Sequence, residues 1–106
     1  MRDSVVVYSV RAQFADTQTR DRYVEWLRDG HCQAVVREGG ALSGEVTVLE
    51  DGSVDSRYVF GSQADFDAYD RGQGQALRAD GTQRFPPDSG ITVVQSVGIR
   101  VVRAPD

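Results

Sequence analysis

One histidine, one cysteine, one tryptophan and twelve scattered arginines are the side chains of this chain most able to do chemistry. His31 follows an apolar run of Tyr23, Val24, Trp26 and Leu27, with Gly30 between. If a helix continues through Gly30, steps of about 100° per residue place His31 in the arc of Val24, Leu27, Ala34 and Val35, facing a sheet. An imidazole there titrates near neutral pH and can serve as a general acid or base, or in a further variant as an axial haem ligand. The competing reading is a buried histidine hydrogen-bonded to a neighbour, and a true break at Gly30 removes the geometry. On the same wheel Trp26 stands roughly 140° from His31, which puts it at an edge unless the helix is distorted. Tyr23 is then the better aromatic wall.

The arginines offer a different chemistry. Arg57 and Arg11 fall among apolar strand residues, where a guanidinium fork can orient an anionic ligand or pair with this chain's acids. Arg78 stands near the end of a second helix, where a cation meets the helix C-terminus favourably and reads as structural. Cys32 lies beyond the main arc with no activating base except the adjacent His31, which points elsewhere on a helix, so a catalytic thiol is not expected. Gly72-Gln73-Gly74 lacks the preceding strand and third glycine of a dinucleotide loop, and one Cys with one His cannot build a tetrahedral zinc site. We therefore expect no metal and no cofactor. The candidate catalytic residue is His31, and the candidate substrate-binding residues are Tyr23, Leu27, Tyr58 and Arg57.

Those residues must be positioned by one small core. At 106 residues, with 40% apolar and 26% charged side chains, the chain has the size and composition of a single folded domain spanning 1–106. Its net charge is −4, and the cations are spread singly instead of forming a stripe that could neutralise successive phosphates, which argues against a nucleic-acid partner. Every cation is Arg, with no Lys or Asn anywhere, a bias that fits GC-rich coding better than a mechanism. The first residues run into only a short apolar stretch before Arg11, too short for a secretory core or a membrane span, and the lone Cys32 excludes an intrachain disulfide. The expectation is a cytoplasmic protein with no membrane partner.

Val5 to Phe14 is β-branched and aromatic, and its two alternating sets, Val5/Val7 and Val6/Tyr8/Val10, are both apolar, which predicts a strand buried on both faces. Asp16 or Thr17 can cap the helix that carries Tyr23 to Leu27. Ala41 to Glu50 and Val54 to Gly61 flank Asp51-Gly52-Ser53 and predict a hairpin, with Val54, Ser56, Tyr58 and Phe60 on one side of its second arm. Ser62-Gln63-Ala64-Asp65 resembles a capping box, and Phe66, Tyr69, Gln73, Ala76 and Leu77 follow at helical spacing. Gly72 and Gly74 each cost that helix about 1 kcal/mol relative to Ala and predict a bent middle. Ile91 to Arg103 predicts a long last strand. The order βαββαβ, with right-handed crossovers, gives an α+β fold of ferredoxin-like type, a four-stranded antiparallel sheet with two helices on one face.

Two helices cover only one face of such a sheet, while strands one and four carry apolar residues on both. If roughly six Val, Ile or Tyr side chains on the second face each gain about 1.5 to 3 kcal/mol on burial, leaving them wet forfeits an amount comparable to a domain's stability. A second copy packed by a two-fold axis supplies the cover and predicts a homodimer through the sheet face, a dimeric α+β barrel.

Glu25-Trp26-Leu27 followed by His31, then Tyr69, Leu77-Arg78 and Arg84-Phe85-Pro86, resembles a family of small bacterial proteins of unknown function within the dimeric α+β-barrel superfamily. The resemblance spans nearly the whole chain and implies the fold and the dimer, without an activity. More distant members of that superfamily include cofactor-independent monooxygenases, muconolactone isomerases, haem-degrading enzymes and stress-response dimers, whose sites commonly lie between helices and sheet. Two functions follow as expectations. One is a non-catalytic homodimer binding a small apolar molecule. The other is a cofactor-independent monooxygenase or isomerase acting on an aromatic or polyketide-like substrate, with His31 moving a proton. A cleft of order 300 Å³ or more reaching His31 separates the enzyme reading from a filled interior.

Overall fold

The alternation of side chains along the first and third strands decides which face of the sheet the helices must cover. In the computed structural model, which describes residues 4–105, β1 (Val6–Phe14), β2 (Ser43–Val48), β3 (Val54–Phe60) and β4 (Ile91–Ile99) form one antiparallel sheet in the order β2-β3-β1-β4. Val6, Tyr8 and Ala12 of β1 and Val54, Ser56, Tyr58 and Phe60 of β3 all lie on one side and are buried. Four helical segments pack on that side: α1 (Thr17–Trp26) and α2 (Cys32–Arg37) between β1 and β2, and α3 (Gln63–Arg71) and α4 (Gln73–Arg84) between β3 and β4. The fold is ferredoxin-like, with each of the two expected helices in two pieces.

Local chemistry places the element ends. Asp16 caps α1 by accepting a 2.7 Å hydrogen bond from the Thr19 N–H, which holds its carboxyl below the usual range. The Ser62 hydroxyl accepts from the Asp65 N–H at 3.1 Å and starts α3, as the capping pattern predicts. Between β2 and β3 the chain turns with the Leu49 N–H donating to the Ser53 carbonyl, the Gly52 N–H donating to that of Leu49, and Gly52 at φ +87. Gly72, at φ −111 and ψ −112, separates α3 from α4 where the sequence predicts a bend. The break re-phases the second piece, so Gln73 and Ala76 are exposed and Gly74 is buried in place of the expected stripe.

The expectation of a first strand buried on both faces is corrected. Beyond Val7 the second alternating set is Ser9, Arg11 and Gln13, and its cross-strand neighbours are Arg57 and Asp55 on β3 and Thr92, Val94 and Ser96 on β4. That open face therefore carries three large apolar residues at paired positions, Val7, Val59 and Val94, around a polar centre, fewer than the six supposed. The wet apolar surface is concentrated elsewhere. Val93, Val97 and Ile99 pair with Ala12, Tyr8 and Val6, so they face the helix side, yet each is at least 44% exposed because the helices do not extend over β4. The last strand also ends at Ile99, which leaves Val101 and Val102 outside it and exposed.

The interior divides in two. Tyr8, Val35, Tyr58, Phe60, Phe66 and Tyr69 form one buried cluster, while Ala12, Tyr23, Leu27 and Val54 form another. Single domains usually bury one contiguous cluster. Among the described residues, no helix is long and apolar enough to cross a membrane.

Candidate functional site

The seam between the two clusters is a cavity of about 420 Å³, lined by Tyr8, Val35, Tyr58 and Tyr69 from one and by Tyr23 and Leu27 from the other. Its size exceeds the roughly 300 Å³ at which small-molecule clefts begin. It is bounded on its outer side by α4, through Leu77, Arg78, Gly81 and Thr82, and at its edge by Ile91, Val93 and Gln95 of β4.

His31 lines this cavity from a helix that is distorted where Gly30 stands. From Leu27 to His31 the chain makes a wide π-type turn, in which the Cys32 N–H donates to the Leu27 carbonyl five residues back. Gly30 departs from helical geometry within it, at φ 161 and ψ −29. A π turn stacks residues five apart, where an α-helix would separate them by about 140°. The rings of Trp26 and His31 are accordingly parallel within 23° and 3.9 Å apart. The expectation that Trp26 stays at an edge is thereby corrected, because the helix takes the distortion that the wheel assumed absent. Trp26 lines the cavity with His31.

The indole is held from α4. Its Nε1–H donates to Asp80 Oδ2 at 3.2 Å, and Arg84 Nε donates to the other carboxylate oxygen at 3.3 Å. Gly81 leaves room for the indole, since a Cβ there would stand 3.0 Å from the ring carbon Cη2 of Trp26. This Asp80-Gly81 seat carried no signal in the sequence, because it joins two segments some fifty residues apart.

Burial dominates the electrostatics. Desolvation pushes the His31 pKa down to about 4, against the opposing attraction of Asp80, so the ring is neutral at pH 7. Its Nδ1 is buried and makes no hydrogen bond. Burial raises the Tyr23 and Tyr69 phenols to about 12 and that of Tyr58 further still, so all three remain protonated donors. Cys32, beside Tyr58, is likewise pushed up by burial and is a poor nucleophile. Ser56, 1% exposed, also has no hydrogen-bond partner for its hydroxyl; it lies near enough to Tyr58 to favour the phenolate slightly without hydrogen-bond geometry.

Four of the five candidate site residues, His31, Tyr23, Leu27 and Tyr58, are thus brought together around one cavity. Arg57 is not. It lies on the open face of the sheet, beside Ser9 and Glu45, with its guanidinium 3.6 Å from Asp55. Arg11 shares that face, because both belong to the alternating sets that point away from the helices. Arg78 does border the cavity, but its guanidinium is committed to the Asp70 carbonyl at 2.9 Å and carboxylate at 3.2 Å, near the end of α3, and lies 5.8 Å from the Tyr69 ring centroid. Ser56 was the residue passed over. Its signal was a lone hydroxyl in the register Val54, Tyr58, Phe60.

The arrangement is a cleft walled mainly by aromatic and aliphatic side chains, on a ferredoxin-like scaffold. Sequence comparison finds no matching family and no matching curated protein. Solved structures agree on the fold. A dimeric ferredoxin-like protein from an uncultured marine organism superposes with a TM-score of 0.72 at 13% identity, covering 95% of this chain and 99% of that one. SnoaB, a cofactor-independent oxygenase from Streptomyces nogalater, gives 0.68 at 13% identity over 97% and 99% of the two chains. The ActVA-Orf6 monooxygenase of Streptomyces coelicolor, solved with the ligand Nanaomycin D, gives 0.66 at 17% identity over 97% and 94%.

Proposed function

We propose that this protein is a homodimer that binds a small, flat, largely apolar molecule in the cleft between its helices and sheet. The observation that carries the reading is the cavity itself: about 420 Å³, walled mainly by aromatic and aliphatic side chains, in a chain whose stability would be better served by filling it. The solved monooxygenase neighbour that holds the ligand Nanaomycin D supports a small-molecule occupant. The dimer is supported by the dimeric ferredoxin-like neighbour and by the uncovered valines and isoleucine of β4. A free Cys32 suits a reducing, cytoplasmic compartment, and residues 1–106 are read as a single domain.

Ligand that binds only the native state at a hundred times its Kd adds about 2.7 kcal/mol, which in a chain of this length raises Tm by of order 10 °C. A thermal-shift screen of two- and three-ring aromatic compounds is expected to find such a rise, weakened in His31→Ala. If no aromatic compound moves the melting point, the cavity is not a binding site for this class.

His31 supports a second reading, a cofactor-independent oxygenase or isomerase. A neutral imidazole in the wall of the cleft can take a proton from an acidic C–H or O–H of a bound aromatic. Its low pKa makes it a weak base at neutral pH, which keeps the binding reading ahead. Oxygen uptake with an air-oxidisable phenol, abolished in His31→Ala while ligand binding persists, would reverse that order.

A further inference from the structure

Two buried polar atoms on residues that line the cavity, Ser56 Oγ and His31 Nδ1, make no hydrogen bond. A buried hydroxyl left unsatisfied costs about 1 to 3 kcal/mol, and alanine in the same place would avoid that cost. Ser56 bears it at a position flanked on its own face by Val54 and Tyr58, on the strand that floors the cavity. Arg78, the cation bordering the space, is already engaged by Asp70, with which an anionic ligand would have to compete.

We propose that Ser56 Oγ, with His31 Nδ1, is the polar anchor of the cleft, and that it selects an uncharged aromatic ligand whose buried end carries a hydroxyl or carbonyl oxygen. The inference rests on the ligand-binding reading of the cavity and adds the ligand's chemical class to it. A serine hydroxyl can donate or accept, and an imidazole nitrogen does one or the other according to tautomer, so each can serve a phenol or a quinone-type carbonyl. A hydrocarbon of the same shape would leave both atoms unsatisfied, and a carboxylate would be desolvated without a free cation.

Trp26, the only tryptophan in the chain, lines the cavity and reports occupancy by its fluorescence. Titrating the protein with 1-naphthol and with naphthalene is expected to give at least tenfold tighter binding of the naphthol. In Ser56→Ala that preference should fall at least fivefold, while the affinity for naphthalene changes less than twofold. Equal affinities in the wild type overturn the anchor but leave the binding reading standing, as does a loss in Ser56→Ala shared by both probes or no change at all. Quenching by neither probe overturns both. The wild-type comparison decides by itself should the variant prove unstable.

Discussion

His31 is neutral at physiological pH because burial strips its water while Asp80 only partly compensates. A folded-state pKa near 4, below the usual value of 6.5, means that the native state resists protonation of this ring more than the unfolded chain does. The resulting stability is fully present above pH 6.5 and is lost as pH falls toward 4. Because solvent still reaches part of the ring, the contribution is about 1 to 2 kcal/mol, less than the full shift would convert to. His31→Phe keeps an aromatic ring against Trp26 and removes the titration. Denaturant melts at pH 7 and pH 4 are expected to show the wild type losing about 1 to 2 kcal/mol more than the variant, since the carboxylates protonate in both. Parallel losses would mean that the imidazole is solvated. Reading the sequence alone put His31 on the inner arc, but the wheel assumed an ideal helix, so the stack on Trp26 was out of reach.

At the scale of elements, the two breaks do opposite kinds of work. The wide turn at Leu27–His31 turns two residues toward one cavity, whereas Gly72 lets α4 swing across the mouth and bring Asp80 under Trp26. Gly74 belongs to the second break. A Cβ there would come within 2.6 Å of the Tyr69 carbonyl and 2.9 Å of an Arg78 nitrogen. Helix propensity alone favours Gly74→Ala by about 1 kcal/mol, but overpacking costs about 1 to 3 kcal/mol, and the near contact is backbone that cannot rotate away. We expect the variant to lower Tm. A gain in stability at Gly74 would show that α3 and α4 can relax into one helix. The caps, the hairpin and the bend were legible because Ser62, Asp16, Gly52 and Gly72 act on backbone within a few residues. The phase of α4 was not, because a helix restarted after a break takes its orientation from what it packs against.

For the whole molecule, the order of elements and hence the fold were legible, but the second face of β1 turns polar past Val7, at Ser9, Arg11 and Gln13. Alternation gives a strand's two sets without saying which set the helices claim, and a long apolar run such as Ile91 to Ile99 hides that one set can be on the covered side and yet uncovered. Two modes of self-association then differ at β4. If copies meet across the open face, Val94, 63% exposed and level with Arg11, is at the contact. Arg11, Arg57, Asp55 and Glu45, which carry both signs of charge on that face, could pair across the two-fold axis. If instead the helix-side edge is covered, Val97, 51% exposed and level with Tyr8, is the contact. An arginine buried beside Arg11 without a partner costs several kcal/mol, enough to weaken a dimer by at least a hundredfold. Face-to-face packing therefore predicts that Val94→Arg becomes a monomer at micromolar concentration while Val97→Arg stays dimeric, with sedimentation equilibrium as the readout. The reverse pattern would move the interface to the helix side of β4, beside Val93 at the edge of the cavity, and a monomeric wild type would remove the dimer altogether.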